Sequence, residues 1–110
     1  MTDERARRLA ENEATMRKVN EVIRESAHAF GADVHMYDFL CECSRADCLE
    51  MISMNVAEYE AVRRLPERFA LRPGHEVPEI EHVTDRNERF VVVEKVGAGR
   101  RVAIESDPRR

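Results

Sequence analysis

The sequence predicts an α+β fold in which one long N-terminal helix precedes a small antiparallel sheet with one short helix. Three observations support this fold class. Residues 2–30 contain neither glycine nor proline, and their apolar side chains recur at a helical spacing. Beyond Gly31, short apolar runs are separated by turn signals such as Pro73-Gly74. Asn55 followed by Glu58 has the pattern of a capping box, which marks the start of a second helix.

Size and composition indicate one domain with a thin core. The chain has 110 residues, of which 43% are hydrophobic, 36% are charged and only 5% are aromatic. A domain of this size gains from an additional cross-link. We expect an N-terminal helix over residues 1–31, a small α+β domain over residues 32–106 and a flexible tail over residues 107–110.

The N-terminal helix has a narrow apolar stripe with a seven-residue repeat. Its members are Leu9, Met16, Ile23 and Phe30. Asn12 and Ser26 occupy the companion positions at which a strong coiled coil has leucine. Two hypotheses remain open for this stripe: it forms a homodimer or binds a partner helix, or it docks on the rest of its own chain.

The rest of the chain alternates between strand patterns and turns. We predict, in order, an extended segment (34–43), a strand (49–54), a helix (56–65), a short strand (69–71), a hairpin (79–84 and 90–96, joined through 85–88) and a returning strand (101–105).

All three cysteines lie within Phe39–Glu50, with the spacing C-x-C-x4-C. Because side chains two apart on an extended segment point to the same side, Cys41 and Cys43 can present their sulfurs to one point, with Glu42 facing away. The intervening loop is long enough to bring Cys48 back to that point. Three thiolates placed in this way are typical of a tetrahedral Zn²⁺ site.

The fourth ligand has to come from elsewhere in the chain. His75 is favoured because the turn at Pro73-Gly74 would hold it on a constrained loop. His82 in the predicted hairpin and His35 ahead of the cluster are alternatives, and Asp47 or a water molecule would also complete the shell.

The three thiols are also compatible with functions other than zinc binding. A thiol-based redox function or Cu(I) binding is one alternative, and three inert buried cysteines are another. Polar residues surround the cysteines at Glu42, Ser44, Arg45 and Asp47, and such flanks are not typical of core filling. Zinc is therefore the preferred interpretation.

Several short motifs resemble those of a family of small uncharacterised proteins of actinobacterial type. They are FLCEC (39–43), EYEAVR (58–63), PGHE (73–76) and VVVEK (91–95). In that family a glycine commonly follows the second cysteine, where this chain has Ser44. The resemblance brings no established activity, but it implies that the cysteines and the His75-Glu76 pair belong to one pattern.

The functional hypotheses follow from the metal site. A closed Cys3His shell points to a structural zinc site in a protein-interaction or regulatory module, whose binding surface would be the N-terminal helix. A redox or stress sensor that releases zinc on oxidation is the alternative. An enzyme with Glu42, Glu50 or Glu76 as a base is disfavoured, since no phosphate-binding loop or nucleophile motif occurs.

Charge and hydropathy exclude some partners. The net charge is −4, and the arginine-rich spots are interrupted by acidic residues, so nucleic-acid binding is disfavoured. No apolar run approaches the roughly 20 residues that span a bilayer. The charged N-terminus lacks the apolar segment of a signal peptide. We therefore expect a cytoplasmic protein, in which clustered thiols indicate metal ligands or reactive groups before disulfides.

Overall fold

The computed structural model describes residues 1–29 and 35–109 and confirms the predicted α+β fold. These residues form three helices and five strands. In chain order they are α1 (Asp3–Ala29), β1 (Tyr37–Leu40), β2 (Met51–Met54), α2 (Val56–Val62), β3 (Arg68–Leu71), β4 (Glu81–Arg86), β5 (Val91–Lys95) and α3 (Ala98–Glu105).

The strands form two antiparallel sheets. β1 pairs with β2, and Phe39 lies opposite Ile52. The second sheet has the order β3-β5-β4, with β5 in the centre. The predicted hairpin is present as β4 and β5, but β4 continues through Asp85 and Arg86, which were expected in its turn. The extended segment predicted up to Cys43 ends as a strand at Leu40.

Helix α2 begins as its capping pattern predicts. The backbone N–H of Glu58 donates to Asn55 Oδ1 over 2.8 Å, and the backbone N–H of Asn55 donates to Glu58 Oε1 over 3.0 Å. The helix ends at Val62 rather than at the predicted Leu65.

The strand predicted over residues 101–105 is wrong, because these residues belong to helix α3. The apolar run is short, and a pattern this short does not separate strand from helix. Contact with α1 favours the helix. A Cβ atom on Gly99 would lie 3.3 Å from Ala10 Cβ and 3.2 Å from Lys95 Cε, so glycine lets the two helices approach closely. Gly97, with a φ of +65°, makes the turn into α3.

Helix α1 docks on the rest of the chain through a face that the apolar stripe did not indicate. The buried residues of that face are Ala6, Ala10, Glu13, Ala14, Arg17, Asn20 and Ala27. Leu9, Met16 and Ile23 lie beside it and are only half-buried, and Ile23 packs against the core. Phe30 lies outside the described residues. Docking within the chain is thus observed, whereas self-association or a partner helix stays a prediction.

Two apolar clusters form the core. In the first, the rings of Phe39 and Tyr59 stack with centroids 4.7 Å apart, between the first sheet and α2. The second consists of Cys41, Cys43, Cys48, Phe69, Leu71, Val91, Val93 and Ala103. The three cysteines therefore occupy one of the two parts of the core.

The segment predicted as a tail makes ionic contacts with two helices. Arg109 pairs with Glu21 of α1 and with Glu60 of α2, both at 2.9 Å. Asp107 pairs with the guanidinium of Arg63. None of the described helices has both the length and the apolarity needed to cross a membrane.

Candidate metal centre

The candidate metal centre lies where two loops from different sheets meet. Cys41 and Cys43 directly follow β1, and Cys48 precedes β2. His75 lies in the loop between β3 and β4. The three Sγ atoms and a ring nitrogen of His75 all lie within 4.8 Å of one another. The structure thus brings together the four residues singled out in the sequence, and this group can hold a metal ion.

The ligand atoms converge on one nitrogen of the imidazole ring. His75 Nδ1 lies 3.5 Å from Cys41 Sγ and 3.7 Å from Cys48 Sγ. Cys41 and Cys43 have no exposed surface, and Cys48 is 7% exposed. The sulfurs therefore lie inside the protein, with Cys48 the most exposed of the three, and the His75 side chain is 18% exposed.

Backbone N–H groups surround the three sulfurs. The N–H of Arg72 donates to Cys41 Sγ over 3.2 Å. The backbone of Arg45 hydrogen-bonds Cys43, and that of Glu50 hydrogen-bonds Cys48. Each bond lowers the pKa of its thiol, because the N–H dipole stabilises the negative charge of a thiolate. These donors favour the thiolate, which is the form that binds metals, and oppose the effect of burial.

The three thiols do not ionise equally on their own. A hydrogen bond from Cys41 lowers the pKa of Cys43 to about 5. That same hydrogen bond, followed by burial, raises the pKa of Cys41, and burial raises the pKa of Cys48. One thiolate therefore forms readily, while a second and a third bring like charges together in a buried place. A bound cation would remove this repulsion.

The imidazole of His75 is held from both sides. Its Nε2 lies 3.2 Å from Glu50 Oε2, and the same oxygen lies 3.1 Å from Arg72 Nε. The backbone N–H of His75 donates to the Arg72 carbonyl over 3.1 Å, across a turn in which Gly74 has a φ of +92°. A carboxylate on the outer nitrogen fixes the ring with its other nitrogen free for a metal.

The orienting role of Glu50 was not predicted. The sequence suggests for Glu50, as for Glu42 and Glu76, only the role of a catalytic base. The sequence shows a carboxylate two residues after Cys48, but with 22 acidic residues in the chain such a neighbour carries little information. Only the fold places this carboxylate against His75.

The other candidate ligands lie away from the centre. His82 is exposed on β4, and His35 is exposed with its ring against Tyr37. Asp47 is exposed in the loop of the cysteines. Glu42 turns away from the sulfurs, as predicted, and Glu76 accepts a hydrogen bond from the Gly74 backbone. Among the described residues, none of the five joins the group of Cys41, Cys43, Cys48 and His75.

Comparison of the chain with protein-family models, with curated proteins and with solved structures finds no match. The resemblance of its motifs to the actinobacterial-type family stays an expectation. The function is therefore argued from the geometry and chemistry of this centre.

Proposed function

We propose that the chain is a zinc-binding protein in which Cys41, Cys43, Cys48 and His75 form a structural site. The observation that carries this proposal is the convergence of three sulfurs and one imidazole nitrogen within 4.8 Å. Residues from two separate loops supply these atoms, so their meeting is not a consequence of sequence proximity alone.

The spacing of the ligand atoms suits a tetrahedral zinc ion. With Zn–S bonds of about 2.3 Å and Zn–N bonds of about 2.0 Å, sulfur and nitrogen ligands lie roughly 3.5 Å apart. The two distances from His75 Nδ1, 3.5 Å to Cys41 and 3.7 Å to Cys48, agree with this value.

The donor set favours zinc over other metals. Ca²⁺ and Mg²⁺ prefer oxygen ligands, whereas thiolate with imidazole suits Zn²⁺. Three cysteines and one histidine are a common set for structural zinc. Because four protein ligands leave no position for a water molecule, this shell supports a structural role rather than a catalytic one.

The metal would join the two sheets. Three ligands come from the loop between β1 and β2, and the fourth comes from the loop between β3 and β4. The binding free energy of a structural zinc, about 10–16 kcal/mol in small modules, is then available to stabilise the fold. A chain with a thin core benefits from such a cross-link.

We further propose that the protein acts in protein interaction or regulation. The helix α1 carries Val19 and Val22 on its outer side, 43% and 63% exposed. These side chains are available to a second copy or to another protein. The reducing cytoplasm would keep the thiols free for zinc.

Metal analysis tests the zinc assignment directly. Protein purified without chelator should contain about one zinc per chain. Replacement by Co²⁺ should give the intense charge-transfer absorption of cobalt–thiolate bonds. Native protein without bound metal, in which all three thiols react freely with a thiol reagent, would contradict the proposal.

A redox sensor is a second candidate, favoured by the unequal exposure of the sulfurs. Cys48 is 7% exposed and follows an exposed loop, while Cys41 and Cys43 are fully buried. Hydrogen peroxide would oxidise the Cys48 thiolate to a sulfenic acid and release hydroxide. Attack by the Cys43 thiolate would then form a disulfide and release a second hydroxide. The metal would lose two ligands and dissociate.

Oxidation of the zinc-loaded protein tests this second candidate. Peroxide should release zinc to a colorimetric chelator, and a sulfenic-acid probe should label Cys48 first. Retention of zinc in excess peroxide, or first labelling at Cys41, would rule out a sensor of this kind.

A further inference from the structure

We infer that Asn20, a residue of helix α1, positions the metal-binding loop directly and through Glu42, and thereby strengthens zinc binding. This inference rests on the proposed zinc site and adds to it a residue that does not touch the metal. It is carried by the contacts of the short segment Leu40–Ser44, which contains two of the four ligands.

The side-chain amide of Asn20 forms the two hydrogen bonds to Leu40 that the backbone of a neighbouring β-strand would form. Its Oδ1 accepts a hydrogen bond from the backbone N–H of Leu40 over 2.7 Å. Its Nδ2 donates to the carbonyl of Leu40 over 2.9 Å. One side-chain amide thus binds both backbone groups of the residue immediately before Cys41. Asn20 is fully buried, so water does not replace these bonds.

The same amide also holds the residue between the two ligands. Asn20 Nδ2 donates to Glu42 Oε2 over 2.9 Å. Cys41 and Cys43 point to the metal centre, and Glu42 points to the opposite side, toward α1. A change in the position of Glu42 therefore changes the directions of both flanking sulfurs.

Glu42 receives further donors from two other elements. The Tyr59 hydroxyl of α2 donates to Oε2 over 3.0 Å, and the Ala70 backbone of β3 donates to Oε1 over 2.9 Å. Its own N–H donates to the Ala70 carbonyl over 2.8 Å. Glu42 is fully buried. The loop is thus held by α1, α2 and β3 together.

A second amide of α1 extends the contact to the end of the segment. Asn12 Nδ2 donates to the carbonyl of Ser44 over 2.8 Å. Asn12 and Asn20 are eight residues apart, about two helical turns, and lie on one side of α1. The docked helix therefore binds the segment at both ends, and its loss would free both ligands.

The test compares zinc affinity in Asn20→Ala with that in a helix variant that does not touch the loop. Ala10→Val crowds α1 against α3 at Gly99 and loosens the helix at a site outside this segment. Asn12→Ala, at the far end, provides a milder variant if Asn20→Ala does not fold. Affinity is measured by competition with a chromophoric chelator, and stability by denaturant unfolding with saturating zinc.

We expect Asn20→Ala to bind zinc roughly 10-fold more weakly, the lower end of the range for groups that bond a metal ligand, because Asn20 bonds the residues beside Cys41 rather than a ligand. The Co²⁺ absorption of the variant should keep its intensity per bound ion, because the ligand set is unchanged. Ala10→Val should stay within about 3-fold of the wild-type affinity, since the side-chain bonds from Asn12 and Asn20 to the loop are unchanged in this variant.

Two results would overturn the inference. One is wild-type zinc affinity in both Asn20→Ala and Asn12→Ala. The other is an equal loss of affinity in Ala10→Val and Asn20→Ala at equal stability, which would show that only general destabilisation matters. Wild-type protein that takes up no zinc would instead refute the proposed function itself, so the two failures are distinguishable.

Discussion

Two of the buried groups of ionisable side chains in this protein differ in how their charge can be balanced. In the candidate metal centre, three thiols and an imidazole converge within 4.8 Å of one another. Beneath α1, the ammonium of Lys95 lies between the carboxylates of Glu13 and Glu81, and all three side chains are almost completely buried. The first group can hold a metal ion as its counter-charge, whereas the second has its counter-charge in the Lys95 side chain.

The two groups also differ in what happens when a member is lost. In the proposed zinc site, loss of a ligand would release the ion, and the remaining thiols would regain their protons. A missing lysine leaves two buried carboxylates without a cation beside them. Burial, and then the nearby Glu81, already raise the pKa of Glu13 well above its usual value despite Lys95. The comparison predicts a loss of zinc in the first case and a pH-dependent loss of stability in the second.

The largest effect is expected from His75→Ala. Removal of one of four ligands should release zinc to a mild chelator and lower the free energy of unfolding by more than about 3 kcal/mol. Zinc content and thermal melting measure both effects. His82→Ala and His35→Ala are matched controls, because both rings are exposed and lie away from the sulfurs. Wild-type zinc affinity in His75→Ala would disprove the fourth ligand.

The next largest effect should come from Lys95→Met. It leaves Glu13 and Glu81 buried without a cation, which typically costs about 3–5 kcal/mol. Zinc should remain bound, because Lys95 does not contact a ligand. Denaturant unfolding at neutral pH with zinc present measures the loss. A variant that loses zinc as readily as His75→Ala would show that the two regions are not separate.

The pH dependence of this loss has a definite sign. Since the pKa of Glu13 is raised in the folded state, the folded protein binds a proton at a pH at which the unfolded chain has released it. Stability therefore falls as pH rises above the unfolded value of about 4.3. Without Lys95 this trend should be steeper, so the difference between wild type and Lys95→Met should shrink toward acid. A pH-independent difference would contradict this account.

A smaller effect is expected from Glu50→Gln, which weakens the support of His75. Zinc affinity should fall by roughly 10-fold, while stability with saturating zinc changes by less than about 1 kcal/mol. Chelator competition measures the affinity. Glu79→Gln is the control, because it removes an exposed carboxylate from the loop after His75. Equal zinc affinities of Glu50→Gln and Glu79→Gln would contradict an orienting role of Glu50.

The smallest effect on the two buried groups should come from Met16→Glu. Met16 is half-buried beside the docking face of α1, so the change should cost about 1 kcal/mol and leave zinc bound. If the stripe of Leu9, Met16 and Ile23 also joins two copies, sedimentation should show a wild-type dimer and a Met16→Glu monomer. A monomeric wild type would end the dimer hypothesis.

The metal centre was predictable because most of it is local. The C-x-C-x4-C spacing brings three sulfurs together through strand alternation and one reversal of the chain. His75 was selected through the rigidity of the Pro73-Gly74 turn. The distances to its Nδ1 agree with that choice. The contact of Glu50 with the His75 ring could not be predicted, because it depends on how two loops approach each other.

The docking of α1 was harder to foresee. The seven-residue repeat indicated Leu9, Met16 and Ile23, but the buried face lies beside them and contains Glu13, Arg17 and Asn20. A charged side chain in a helix ordinarily indicates solvent. The helical conformation of α3 was not predicted for a similar reason, because it is favoured by the contact between Gly99 and Ala10, which are distant in sequence.

The local elements of this protein follow from its sequence: the long helix, the capped start of α2, the hairpin and the group of three thiols. Short-range sterics and hydrogen bonding decide these features within a few residues. Which polar side chains are buried depends instead on contacts between distant parts of the chain. Arg17 shows why: its guanidinium donates to the carbonyl of Ala103 over 2.7 Å and lies 4.5 Å from the Phe69 ring centre. These partners are 86 and 52 residues away in the sequence, so no local pattern can predict them. Only the folded core supplies the hydrogen-bond acceptors that offset the free-energy cost of burying this charge.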